Sequence, residues 1–186
     1  MVEVFENVLS EEHHKELTDV VFGYYFPWHY WRYSSYQFKE PDNIYQLTHP
    51  IFEDGRVVCP PYIKPDEAKT VERIVPEITN GINKQKYGEV KVIGVQRIQF
   101  NMLIPQPYTE KQLELGIHRD WQKEEDGFKS AIYYLNNSDG DTVVEDEHFT
   151  PRENTAILFD SYRNHRATPP TNTKRRIVLN IVFKVL

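Results

Sequence analysis

Along the chain, hydrophobic positions follow a helical spacing first and a two-residue spacing afterwards. Ser10 precedes Glu11 and Glu12, and Leu17, Val20 and Val21 follow at helical intervals. A hydroxyl cap with acids in the first turn predicts a helix over about 10–22. Tyr24 to Tyr36 is dense in aromatic residues, which predicts strand or a large ordered loop. From Asp66, the set Ala68, Val71, Val75, Ile78 and Ile82 returns to helical spacing, while Pro76 predicts a kink or the start of a second helix. Beyond Gly88 the pattern becomes that of strands.

The strand faces are unequal. Between Arg97 and Ile104, the residues Ile98, Phe100, Met102 and Ile104 share one side, and Arg97, Gln99, Asn101 and Leu103 share the other. The last segment repeats this, with Ile177, Leu179, Ile181 and Phe183 opposite Arg176, Val178, Asn180 and Val182. Such mixed faces either meet solvent, as in a half-buried antiparallel sheet, or turn inward to line a ligand-holding barrel or jelly roll. Between these strands, 128–136 and Thr142–Val144 flank an Asp-Gly turn and predict a hairpin. Thr155 to Phe159 predicts a buried strand, and Thr168-Pro169-Pro170 a turn into the final one.

Composition narrows the picture. The chain of 186 residues, 39% hydrophobic, fits one domain spanning 1–186. Within it, 1–88 is expected to supply a mostly helical buttress and substrate-side segments, and 89–186 the β core. No uncharged apolar run approaches the ~20 residues that cross a bilayer, and no basic-then-apolar leader opens the chain. A cytoplasmic protein without membrane contact is expected. A net charge of −6 argues against a nucleic-acid partner held through phosphates. The single cysteine, Cys59, excludes an internal disulfide and a cysteine-based metal cluster, leaving histidines and carboxylates as ligands.

His118-Arg119-Asp120 places an imidazole and a carboxylate two residues apart, on one side of an extended backbone. His165 follows 45 residues after Asp120, ahead of the final strand. Two histidines and one carboxylate on one face of an octahedral ion leave three positions open, as in non-haem iron(II) oxygenases. The pair alone has a plain alternative, a satisfied histidine beside a turn carboxylate. Asp139 and Asp141 sit at a turn and lack the spacing of a calcium loop. His13 and His14 fall on the expected surface helix, His29 and His49 have no acidic partner at ligand spacing, and His148 falls in an expected loop, so none is favoured as a ligand.

With these segments in order, the chain from about Val90 to Leu186 resembles the prolyl-4-hydroxylase-like branch of the iron(II)/2-oxoglutarate oxygenases, in particular its compact microbial and phage members. The resemblance implies a mainly β fold, a double-stranded β-helix of jelly-roll or cupin type with a helical buttress. It implies iron(II) held by His118, Asp120 and His165, with 2-oxoglutarate and O2 as co-substrates. Arg176 is the expected anchor for the far carboxylate of 2-oxoglutarate, chosen over Arg175 because Arg175 shares its side with Ile177 and Leu179. Tyr134 is expected to assist, and Asn101 to touch the co-substrate from the first core strand. The implied activity is a dioxygenase that hydroxylates a C–H bond of an unidentified primary substrate, peptidyl or amino-acid by analogy. The approach to His118 offers only Tyr108 where prolyl hydroxylases carry several tyrosines, which puts prolyl specificity in question. Two other classes are weighed: a cupin metalloenzyme that does not use 2-oxoglutarate, which needs no basic anchor, and a barrel that only binds a ligand or partner.

Overall fold

A computed structural model describes the chain except for residues 34–41, 59–64, 87 and 89. Cys59 and the end of the aromatic segment, 34–36, lie outside the described residues. In chain order the elements are β1 (Glu3–Glu6), α1 (Glu11–Val21), β2 (His29–Trp31), β3 (Gln46–Glu53), β4 (Arg56–Val57), α2 (Pro65–Gln85), β5 (Val92–Leu103), α3 (Glu110–Leu115), β6 (Phe128–Tyr134), β7 (Thr142–Val144), β8 (Glu147–Phe149), β9 (Thr155–Asp160), β10 (His165–Ala167) and β11 (Arg176–Val185). No helix among the described residues is long and apolar enough to cross a membrane.

Two antiparallel sheets face each other. The larger runs β1-β9-β6-β11-β5-β3-β2, with β4 beside β3, and the smaller runs β10-β7-β8. After β6 the chain crosses from the large sheet to the small one, returns at β9, crosses again at β10 and returns at β11. This alternation is the double-stranded β-helix, the fold class expected above.

The alternating residues of β5 and β11 divide as their pattern predicts. Ile98, Phe100, Met102, Ile177, Leu179, Ile181 and Phe183 belong to one apolar core together with Leu17 and Val21 of α1 and Val71, Ile74, Val75, Ile78 and Ile82 of α2. Arg97, Gln99, Asn101, Arg176, Val178 and Asn180 line a cavity between the sheets. The mixed faces therefore turn inward. A second, smaller apolar cluster, Ile132, Tyr134, Val144, Ile157, Phe159 and Val178, fills one part of the inter-sheet space.

The helices form for local reasons and stay for tertiary ones. Ser10 caps α1, its hydroxyl accepting from the His13 amide at 3.2 Å, worth about 1 kcal/mol. No second helix starts at Pro76: α2 continues through it as one element. A helix-interior proline costs about 3 kcal/mol. Burying a single large aliphatic side chain returns roughly 1.5–3 kcal/mol, and α2 has buried residues on both sides of Pro76. Pro76 and Glu72, whose carbonyl loses its partner, both lie on the exposed side of the helix. A Cβ on Gly81 would lie 2.0 Å from the Val8 carbonyl oxygen, so only glycine lets α2 press on the chain there.

The expected hairpin of β6 and β7 does not form. β6 pairs with β9 and β11, whereas β7 pairs with β8 and β10 in the other sheet. The turn between them is a corner. Asp139 at that corner accepts from the backbone amides and hydroxyls of Thr171 and Thr173 and from the amide of Asn172, at 2.6–3.0 Å. Those hydrogen bonds, led by the Thr171 and Thr173 hydroxyls, hold its carboxyl far below the usual range. It staples the corner to the connection entering β11 and has no need of a cation.

Candidate active site

His118 and Asp120 stand just after the short helix α3. Thr109-x-x-Gln112 starts it, with the reciprocal capping box formed. α3 ends at Gly116, whose carbonyl oxygen accepts from His118 Nδ1 at 2.9 Å. His165 is brought alongside by an isolated β-bridge with His118, and its Nδ1 donates to the Arg163 carbonyl at 3.1 Å. The Arg163 side chain is itself clamped by Glu145 at 2.5 Å and Glu147 at 3.3 Å.

With both Nδ1 atoms turned to the backbone, each imidazole keeps Nε2 for the interior. His165 Nε2 is buried without a hydrogen-bond partner and lies 3.5 Å from Asp120 Oδ2. One ligand atom from each of His118, Asp120 and His165 lies within 4.8 Å of the others. Neighbouring donors bound about 2 Å from one ion stand about 3 Å apart, so the set fits a divalent cation with little adjustment. An orphaned buried nitrogen facing a carboxylate is the observation that asks for one.

The electrostatics suit the same purpose. Burial, then the charge of His165, pushes the His118 pKa down to about 4, so the ring is neutral and able to ligate at ordinary pH. Burial alone would raise the Asp120 pKa. The Arg97 guanidinium, the two histidines and the Ser130 hydroxyl outweigh it and hold the group well below the carboxylate range. Arg97 Nη2 bonds Asp120 Oδ1, Ser130 Oγ donates to Oδ2 at 2.6 Å and Asn180 Nδ2 to Oδ2 at 3.4 Å. The sequence reading missed Arg97 and Ser130 as partners of Asp120. Arg97 was visible on the inward face with Asn101, and Ser130 sits two-residue steps from Tyr134.

The ligand atoms open into a cavity of about 510 Å³, within the range of small-molecule sites. Arg176 is buried at its wall, with Nε donating to the Gly140 carbonyl at 2.9 Å and Nη2 to Thr142 Oγ1 at 2.5 Å. Arg175 points the other way, its guanidinium 4.2 Å from the Phe22 ring. Tyr134 stands behind the wall, with its hydroxyl donating to Thr142 Oγ1 at 2.9 Å and its ring 6.0 Å from the Arg176 guanidinium. Thr142 Oγ1 thus accepts two bonds, leaving its own hydrogen for the cavity it lines. Burial pushes the Tyr134 phenol up to about 12. Asn101 lines the cavity, its side-chain oxygen accepting from Gln99 at 2.6 Å. Trp121, beside Asp120, stacks on Phe128 at 4.0 Å and bonds Asp126 instead of walling the cavity. The aromatic segment divides: Phe26 is core, Trp31 lines the cavity, and Tyr24, Tyr25 and Tyr30 are exposed.

The family model of the 2OG-Fe(II) oxygenase superfamily matches residues 105–184. A search of curated protein sequences finds no match. Among solved structures, a viral collagen prolyl hydroxylase from Paramecium bursaria Chlorella virus-1, in complex with 2-oxoglutarate, aligns with a TM-score of 0.58 at 14% identity over 99% of this chain and 96% of its own. A prolyl hydroxylase from Trichoplax adhaerens, bound to a peptide fragment of hypoxia inducible factor, aligns at 0.60 and 16% over 99% and 83%. The non-haem α-ketoglutarate dependent epimerase SnoN of nogalamycin biosynthesis aligns at 0.63 and 12% over 99% and 77%. Residues 105–184 thus match the 2OG-Fe(II) oxygenase superfamily and the chain shares the fold of these solved structures; that family implies iron(II), 2-oxoglutarate and O2, and His118, Asp120 and His165 form a candidate metal site.

Proposed function

We propose that this protein is an iron(II)- and 2-oxoglutarate-dependent dioxygenase that hydroxylates a C–H bond. The observation that carries the reading is the buried, unpartnered His165 Nε2 beside Asp120, joined by a buried guanidinium across the same cavity. His118, Asp120 and His165 would hold iron(II). Arg176 would receive the far carboxylate of 2-oxoglutarate, which its planar fork suits, and the Thr142 hydroxyl would donate beside it. Tyr134 supports Arg176 and Thr142 from behind, and Asn101 faces the same space from β5.

When bound, the metal and co-substrates supply the oxidation: one atom of O2 enters the substrate C–H bond while 2-oxoglutarate takes the other and becomes succinate and carbon dioxide. The chain's own work is positional. Gly116 and Arg163 fix the two imidazoles through their carbonyls, Ser130 and Arg97 keep Asp120 ionised and oriented, and the cluster around Ile132 and Phe159 keeps water from the inner side. The superfamily fold also serves an epimerase, so hydroxylation rests on the prolyl-hydroxylase resemblance.

The test is succinate formation from 2-oxoglutarate with added iron(II), without primary substrate. Wild type should exceed His118→Ala by at least about tenfold, a difference of about 1.4 kcal/mol in barrier. Equal background rates in both would sink the enzymatic reading and favour a binding module.

A further inference from the structure

The register of β5 against β11 acts as a ruler through the cavity. Arg176 is opposite Leu103, Val178 opposite Asn101, Asn180 opposite Gln99 and Val182 opposite Arg97. Arg176 and Arg97 therefore stand six residues apart on the inward face, about 20 Å of extended chain. Asn180, which reaches Asp120, lies between them. An arginine thus stands on each side of the metal ligands along the ladder, and only the one on β11 is needed for 2-oxoglutarate.

Arg97 is an unusual side chain to leave over. Its Nη2 bonds Asp120, and its Nε is buried with no partner. A metal would draw the Asp120 charge to itself, leaving the guanidinium short of negative charge in a partly enclosed place. Among the described residues lining the cavity, Arg97, Arg166 and Arg176 outnumber the two carboxylates, Asp120 and Glu53. Arg166 Nε, at the rim, is likewise buried without a partner. Iron(II) and 2-oxoglutarate bring charges that cancel each other, so the excess of cations persists when both are bound. This is a cationic cleft in a chain of net charge −6, and such a cleft draws anions.

We propose that the primary substrate is a small anion, whose carboxylate or other oxyanion is held by Arg97 on the side of the metal opposite Arg176. A mid-chain peptide residue brings no such charge, so this differs from the peptide named for the Trichoplax structure. The proposal rests on the oxygenase reading above. Glu53 is opposite Arg97 only in the backbone register of β3 and β5, is exposed and forms no ion pair with it; at the cavity edge it would favour substrates that carry a cationic group beside the anion.

The experiment separates the two layers. Binding of 2-oxoglutarate to the anaerobic iron(II)-loaded protein is followed by its charge-transfer absorption. Succinate formation is then measured with three sets of probes: the free L-amino acids against their primary amides, short aliphatic acids against their amides, and sugar phosphates against their parent sugars. At least one acid or phosphate should raise succinate formation at least tenfold while its neutral counterpart does not. The set that responds distinguishes carboxylate from phosphate. Arg97→Gln should remove the stimulation, and Arg97→Lys should restore part of it. The acid-against-amide comparison on wild type stands even if a variant fails to fold. If a neutral counterpart stimulates as well as its acid, if no anion stimulates, or if folded Arg97→Gln responds like wild type, the anionic substrate is overturned while the oxygenase reading stands. Absence of the charge-transfer absorption in wild type overturns both.

Discussion

The backbones of His118 and His165 exchange both of their hydrogen bonds, His118 N to His165 O at 2.9 Å and His165 N to His118 O at 2.8 Å. Residues paired this way carry their side chains to the same face of the sheet, and the two imidazole rings lie 4.3 Å apart between centroids. Main-chain pairing, not side-chain packing, thus sets the spacing of two of the three candidate ligands.

Because that pairing uses no imidazole atom, His165→Ala should keep the fold while losing the cation. Manganese(II) affinity measured calorimetrically should fall at least about a hundredfold, or about 2.7 kcal/mol, with the far-ultraviolet circular dichroism unchanged. Wild-type affinity in the variant would remove His165 from the site.

The two neighbouring arginines should separate cleanly. Arg176→Gln removes a charge-assisted grip, worth about 1.5–3 kcal/mol, and should raise the KM for 2-oxoglutarate roughly 10- to 100-fold. Arg175→Gln, whose guanidinium lies over Phe22, should leave that KM within about threefold. Initial rates across 2-oxoglutarate concentrations decide between them, and the reverse ranking would move the anchor to Arg175.

Stability of the metal-free protein should depend on His118. Its folded pKa lies near 4, below the ordinary 6.5, so between those values the unfolded chain binds a proton that the folded chain refuses. The contribution is complete above about pH 6.5, falls as pH drops, and is gone below about pH 4, a total of about 3 kcal/mol. Urea unfolding of chelator-treated protein at about pH 7 and about pH 4.5 should show most of this loss, and His118→Gln should flatten it.

Gly140 should link stability to the proposed co-substrate binding. A Cβ there would lie 2.5 Å from the Thr168 carbonyl oxygen and 2.8 Å from Pro170 N, while the Gly140 carbonyl accepts from Arg176. Gly140→Ala should cost about 1–3 kcal/mol through overpacking and should also weaken 2-oxoglutarate binding. Thermal unfolding and a 2-oxoglutarate titration report the two effects, and a stability loss without weaker binding would break the link.

What the sequence disclosed follows a physical division. The alternation of Ile98, Phe100 and Met102 with Arg97, Gln99 and Asn101 is local, and it announced both strand and inward polar face. His118-x-Asp120 was legible for the same reason. Sheet membership is not local: Asn137 to Gly140 has the residues of a hairpin turn, yet the strands it joins belong to different sheets because Asp139 is captured by Thr171 to Thr173. Arg97 could be placed on a face, but its hold on Asp120, 23 residues away, depends on how the sheets close. α3 carries a capping box, yet its six residues hold too little periodicity to outweigh their polarity in the sequence.

The opposed faces of β5 and β11 also bear on how such a protein changes over generations. One face of each strand is committed to the apolar core under α1 and α2, and the other turns to the space between the sheets, where Gln99, Asn101 and Asn180 line the cavity. Replacements at Gln99 or Asn101 can therefore alter which molecule is accepted while the cohesive side of the same strands stays intact. Selectivity in this scaffold is free to drift far faster than its durability.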